Sequence, residues 1–96
     1  MKAVLIIYSP ALECNIMSAL KKAGQEKYSK IPYLLGVGKS SEPHLDTNIW
    51  PGSNSALLII TDERTKGILL QELKLIKDKY GRQGIKTFVW NIEEEL

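Results

Sequence analysis

Residues 36–54 read GVGKSSEPHLDTNIWPGSN and lie between two strongly apolar segments, with no helical or strand period of their own. Gly36 and Gly38 mark the beginning of this segment, and the turn-forming run Pro-Gly-Ser-Asn at residues 51–54 closes it. Loops longer than about 12–15 residues are uncommon in compact domains and are mostly functional or disordered. We therefore predict a long loop that the rest of the chain presents to a ligand or a partner, with a simple connector as the alternative.

The apolar and amphipathic segments on either side of this loop predict four strands and two helices. Ser9 before Pro10 is typical of a helix start, and Thr61 or Asp62 caps the second helix. Pro32 removes a backbone donor from the second strand, which predicts that this strand lies at a sheet edge. The predicted strands cover residues 2–8, 28–35, 55–61 and 85–92, and the predicted helices end at Gly24 and near residue 79.

The resulting order, β-α-β-β-α-β, predicts an α+β ferredoxin-like domain over residues 1–96, with a four-stranded antiparallel sheet and both helices on one face. The second face of such a sheet usually meets water, so its strands should alternate apolar and polar side chains. Here both faces are apolar. In the first strand the two opposed sets are Ala3, Leu5, Ile7 and Val4, Ile6, Tyr8. A large apolar face predicts association, and a homotrimer of three sheets around an axis would cover it.

Composition and charge exclude several classes of protein. A net charge of +2 is too small to indicate a nucleic-acid-binding protein. No apolar run reaches the length of about 18 residues that a membrane-spanning helix needs, and Cys14 has no second cysteine for a disulfide. We therefore expect a cytoplasmic protein that is not inserted in a membrane. A single histidine, with no nucleophile motif and no convincing carboxylate pair, argues against an enzyme.

Four runs of residues carry a resemblance to a known family. They are MKAVLII at residues 1–7, Gly36-Val37-Gly38-Lys39 after the second strand, WPGSNS at residues 50–55 and KTFVWNIEE at residues 86–94. With these runs, the layout of nearly the whole chain resembles the nitrogen regulatory P-II superfamily, in particular its divergent P-II-like members. The resemblance implies a homotrimeric signalling protein whose long loop (the T-loop), about residues 37–54 here, contacts a protein target such as a membrane transporter or an enzyme.

The resemblance also implies a nucleotide site in the clefts between subunits. The residues that it places at the base of the cleft are Gly36, Gly38 and Lys39. The residues that it places beside the phosphates of ATP, ADP or AMP are Arg82, Gly84 and Lys86. Glycines allow backbone amides to approach phosphate oxygens, and cationic side chains balance the phosphate charge.

The chain departs from the usual family pattern in its loops. No tyrosine lies between Gly38 and Asn54, so the usual uridylylation of a loop tyrosine is not expected. Ser40 stands where the resemblance implies a glutamine that helps to bind magnesium and 2-oxoglutarate. Residues 81–86 also lack the fuller glycine-rich phosphate loop of the family and its aspartate.

Two other functions remain open for this architecture. A CutA-type trimeric metal-tolerance protein would bind copper or zinc through His44 or Cys14. Glu42 and Asp46 flank His44, but no second histidine or cysteine lies near it in the sequence, so we predict no metal site. A small dimeric α/β-barrel enzyme is the other alternative. A dimer in solution would favour this enzyme over the P-II-like and CutA-type proteins, which are both trimers.

Overall fold

The computed structural model describes residues 1–36, 52–81 and 84–96. Within them the strands are β1 (Lys2–Tyr8), β2 (Ser29–Gly36), β3 (Gly52–Thr61) and β4 (Ile85–Asn91), and the α-helices are α1 (Glu13–Ala23) and α2 (Glu63–Lys79). The strands form one antiparallel sheet in the order β2-β3-β1-β4, which places β2 at an edge, as Pro32 predicted. The predicted ferredoxin-like α+β fold is therefore confirmed.

The predicted caps lie where the sequence placed them, but Ser9 caps a 3₁₀ turn, and α1 itself begins after Leu12 without a side-chain cap. Ser9 Oγ accepts the backbone N–H of Ala11 at 3.3 Å, and a 3₁₀ turn, Pro10–Leu12, leads from this cap into α1. Asp62 Oδ1 accepts the backbone N–H of Thr65 at 2.7 Å and caps α2. Of the two residues considered for the second cap, Asp62 is the one that the helix uses.

β3 begins earlier than the sequence predicted. Its first residue, Gly52, pairs with Gly36 of β2, whereas the sequence predicted a strand only from residue 55. Cross-strand pairing satisfies the backbone of these turn-forming residues and overrides their local preference. The two ends of the predicted loop therefore belong to the sheet, and residues 37–51 lie outside the described part of the chain.

The core lies between the sheet and the two helices. β1 and β3 contribute the alternate residues of their helix-facing side, and each helix contributes one apolar stripe. The largest fully buried apolar side chains are Tyr8, Ile6, Leu12, Ile16, Leu57, Ile59, Leu69 and Val4. Within the described residues, no helix is long and apolar enough to cross a membrane.

The opposite side of the sheet carries a second apolar surface. Strand pairing aligns Leu5 of β1 with Leu58 of β3 and with Phe88 of β4. We call this surface the open face, and its apolar members are Ala3, Leu5, Ile7, Ile31, Leu34, Ala56, Leu58, Ile60, Phe88 and Trp90. Leu58, Ile60, Phe88 and Trp90 are between 37% and 49% exposed. The prediction of a sheet that is apolar on both faces is confirmed.

Candidate functional site

The structure describes only part of the predicted nucleotide site. The predicted residues within the described part are Gly36, Gly84 and Lys86. The predicted residues outside it are Gly38, Lys39 and Arg82, together with the loop residues Ser40, Glu42, His44, Asp46 and Trp50. Among the described residues, no group of three or more His, Cys, Asp or Glu side chains is placed to hold a metal ion. The described part of the site therefore consists of the end of β2 and the beginning of β4.

The end of β2 adjoins residues 37–51, where the sequence predicted a long loop. Gly36, the last residue of β2, pairs with Gly52, the first residue of β3. The last described pair between β2 and β3 therefore consists of two residues without side chains. No Cβ atom at this pair stands between the backbone and an approaching group.

The beginning of β4 is bonded to the end of β1. The carbonyl of Gly84 accepts the backbone N–H of Ser9 at 2.9 Å, which extends the ladder between the two strands. Lys86 pairs with Ile7, which places it on the open-face side of the sheet, and its side chain is exposed. An exposed cationic residue therefore follows the start of β4, two positions after Gly84 in the sequence.

These two parts of the site lie at the same end of the sheet but on opposite edges. Tyr8, at the end of β1, pairs with Ser55 near the start of β3 and with Ile85 at the start of β4. Gly36 belongs to the β2 edge, and Gly84 precedes the β4 edge. Three spacings between neighbouring strands separate the edges, about 14 Å in total. One copy of the chain therefore does not bring Gly36 and Gly84 to the same phosphate group.

The structure also contains a polar network that the sequence did not predict. The hydroxyl of Tyr8 donates to Oε1 of Glu13 at 2.6 Å, and Nζ of Lys30 donates to Oε2 of the same carboxylate at 2.9 Å. Tyr8 lies in β1, Glu13 in the first turn of α1 and Lys30 in β2, so the carboxylate joins three elements. The strand period showed that Tyr8 shares a face with Val4 and Ile6, but the choice of its partner depends on tertiary packing.

Burial and hydrogen bonding shift two pKa values in this network. Burial, followed by the hydrogen bond to Glu13, raises the pKa of Tyr8 well above its usual value. Burial also acts to raise the pKa of Glu13, but the hydrogen bonds from Tyr8 and Lys30 outweigh it, so this pKa lies below its usual value. At neutral pH the network therefore holds a protonated phenol and an ionised carboxylate.

A β-bulge interrupts β2 beside this network. The register of β2 against β3 shifts between Ile31 and Leu34. At this point Pro32 and Tyr33 together oppose the single residue Ser55. The hydroxyl of Ser55 donates to the carbonyl of Pro32 at 3.2 Å. A proline is tolerated here because edge strands and bulges do not require its missing N–H.

Comparisons with known proteins relate this geometry to one fold. No protein-family model and no curated protein sequence matches the chain. CPII, a nitrogen regulatory PII-like protein from Thiomonas intermedia K12 bound to ADP, AMP and bicarbonate, matches with a TM-score of 0.74 and 20% identity, over 95% of this chain and 88% of CPII. CPII bound to ADP and bicarbonate matches with a TM-score of 0.71 and 22% identity, over 95% and 84%. A PII-like signalling protein from Thermus thermophilus matches with a TM-score of 0.63 and 24% identity, over 95% and 85%.

The chain therefore has the fold of the PII-like proteins. Each of these structures covers 95% of the chain, so the likeness is not confined to one half of the sheet or to one helix. The resemblance to divergent P-II-like proteins, which the sequence indicated, is confirmed at the level of the fold.

Proposed function

We propose that this chain is a PII-like regulatory protein that forms a homotrimer, binds an adenine nucleotide between its subunits and contacts a protein target through the segment of residues 37–51. The observation that carries the proposal is the placement of Gly36 and Gly84 at the same end of the sheet on opposite edges. In the proposed ring of three copies, the β2 edge of one copy would lie beside the β4 edge of the next. Two half-sites that are separated within one copy would then meet across a subunit boundary.

The open face supports assembly through the sheets. Soluble monomers rarely expose a contiguous apolar patch larger than a few hundred Å². Covering such a patch contributes about 25 cal/mol for each Å² of apolar surface removed from water. Three sheets around an axis would cover Leu58, Phe88 and Trp90 together, and closed symmetry would leave no apolar face for further association.

The proposed ligand class follows from the groups at the two edges. The backbone at Gly36 and Gly84 allows close approach of phosphate oxygens, and Lys86 supplies a positive charge beside Gly84. CPII, which has the same fold, is bound to ADP and AMP. We therefore propose ATP, ADP or AMP as the ligand of the cleft. The further contacts that we propose are Gly38, Lys39 and Arg82.

The proposed role is regulatory and not catalytic. A nucleotide in the cleft would lie at the base of residues 37–51, because Gly36 and Gly52 are the points at which that segment joins the sheet. A bound nucleotide would then change the position in which residues 37–51 meet the protein target. We propose that the nucleotide in this way controls contact with a cytoplasmic face of a membrane transporter or with a cytoplasmic enzyme.

Native mass spectrometry combined with calorimetric nucleotide titration tests the proposal. We expect a mass of three times 10.8 kDa and binding of ATP, ADP or AMP. Lys86→Ala should weaken this binding about tenfold or more, since a hydrogen bond to a charged group contributes about 1.5–3 kcal/mol. Lys74→Ala is the matched control, because Lys74 is an exposed lysine of α2 outside the proposed cleft. A monomer at micromolar concentration overturns the assembly, and an intact trimer without nucleotide binding at millimolar concentration overturns the ligand.

A further inference from the structure

The bulge divides β2 into two halves with different neighbours. The first half, residues 29–31, contains Lys30, which is bonded to Glu13 of α1. The second half, residues 34–36, ends at Gly36, from which the long segment departs. In the sheet of the described residues, β2 is an edge strand that pairs with β3 alone. A bulge breaks the ladder and increases the local twist, so the pairing with β3 does not by itself fix how the second half is oriented.

The contact between Glu13 and Lys30 is well suited to hold the strand at this point. Among the ion pairs that join different elements in the described residues, its distance of 2.9 Å is the shortest, and the Lys2–Glu63 and Lys22–Glu72 pairs measure 3.5 and 3.9 Å. Its two side chains are 36% and 34% exposed, so water screens the pair only in part.

Tyr8 fixes the place of the carboxylate. Its side chain is fully buried in the core, so its hydroxyl has a defined position from which it donates to Glu13. Ser55, the cross-strand partner of Tyr8, is also the residue that opposes the bulge and donates to Pro32. The core, the first turn of α1 and the bulged part of β2 are therefore joined through a short chain of bonds.

We propose that Tyr8, Glu13 and Lys30 form a positioning device that holds the bulged strand β2 against α1 and so fixes the direction of Gly36, where the long segment begins. The inference rests on the proposed function only in that residues 37–51 are the segment proposed to contact the protein target. A strand end that is already held in place needs less ordering when a ligand or a partner binds there, which lowers the entropic cost of binding.

Nitrogen-15 relaxation of the unliganded protein tests the device. Order parameters report motion within the native state, so a change in global stability alone does not alter them. Lys30→Met should lower the order parameters of Leu34 and Gly36 from the rigid range, about 0.85, toward the flexible range, below about 0.6. The order parameter of Leu5 in β1 should not change. Lys30→Arg, which keeps a donor and a positive charge, should restore the values of the wild-type protein.

Two further variants complete the experiment. Tyr8→Phe keeps the buried ring and removes the hydroxyl, so it should act in the same direction as Lys30→Met. Lys22→Met is the matched control, because it removes the 3.9 Å ion pair with Glu72 between the two helices. Unchanged order parameters at Leu34 and Gly36, or an equal decrease at Leu5, overturn the proposal. No nucleotide is present in this measurement, so a failure of the proposed nucleotide site would not alter its outcome.

Discussion

The two carboxylate oxygens of Glu13 serve two different strands, since Oε1 accepts from Tyr8 of β1 and Oε2 accepts from Lys30 of β2. A glutamine at this position would keep the shape of the side chain and lose the negative charge that strengthens both bonds. About one third of each side chain in the ion pair is exposed, so the pair contributes less than a fully desolvated one. The ionisation of a single residue therefore affects how three elements are held together.

The pH dependence of unfolding should report this carboxylate. The pKa of Glu13 is lowered in the folded protein from 4.5, so its contribution to stability is present above pH 4.5 and is lost as the pH falls through the folded-state pKa. We expect urea unfolding to show a difference in free energy between wild type and Glu13→Gln that is largest at neutral pH and shrinks below pH 4.5. Asp62 and Glu63, whose pKa values are also lowered, titrate in both proteins and cancel in the comparison. A difference that stays constant down to about pH 3 would contradict a role for the charge.

At the scale of elements, the helix ends were predictable because their interactions are local. The Ser9 cap reaches two residues along the chain, and the Asp62 cap reaches three. Gly24 ends α1 with a φ of 76°, and its N–H bonds to carbonyls of the preceding turn. Each of these features depends only on residues a few positions away in the sequence, so it could be predicted without knowing the rest of the fold.

Features that depend on a neighbouring strand were not predictable in the same way. The start of β3 at Gly52 is set by pairing with Gly36, and the bulge is set by the register against Ser55. In the candidate site, too, some residues could be predicted from the sequence and others could not. The resemblance indicated Gly36 and Gly84, whereas the contact of Glu13 with Lys30 links residues 17 positions apart on two elements, and no local pattern indicates it.

Two glycines should respond in opposite ways to the same substitution. Gly24→Ala should lower the free energy of unfolding by about 1 kcal/mol, because the left-handed conformation is unfavourable for a residue with a Cβ atom. Gly67→Ala, inside α2, should raise it by about 1 kcal/mol, because alanine favours the helix interior. A Cβ atom built at either position has no neighbour within 4 Å, so the contrast isolates backbone conformation. Urea unfolding measures both variants, and changes of the same sign would contradict the explanation.

At the scale of the whole molecule, one surface serves two purposes in the proposed assembly. The helices cover one face of the sheet, whereas Phe88 and Trp90 on the open face remain about half exposed in a single copy. Association through the open face would cover them and would at the same time bring Gly36 of one copy toward Gly84 of another. The stability of the assembly and the completeness of the nucleotide site would then depend on the same contacts.

Leu58→Asp separates assembly from folding. Leu58 pairs with Leu5 on the open face and is already 37% exposed, so the isolated subunit should tolerate a carboxylate there. In a trimer the same carboxylate would be buried without a partner, which is strongly unfavourable, so we expect monomers in sedimentation velocity at micromolar concentration. Leu75→Asp on α2, where the leucine is 62% exposed, is the matched control and should stay trimeric.

Nucleotide titration of the same two variants then locates the site. If the cleft is formed by two copies, Leu58→Asp should lose nucleotide binding together with the trimer, and Leu75→Asp should keep both. A Leu58→Asp protein that sediments as a trimer would show that the open face is not the interface. A folded monomer that binds nucleotide as tightly as the wild-type protein would instead place the whole site within one subunit. Gly36 and Gly84 lie on opposite edges of that subunit, so this outcome would contradict a nucleotide site that both residues share.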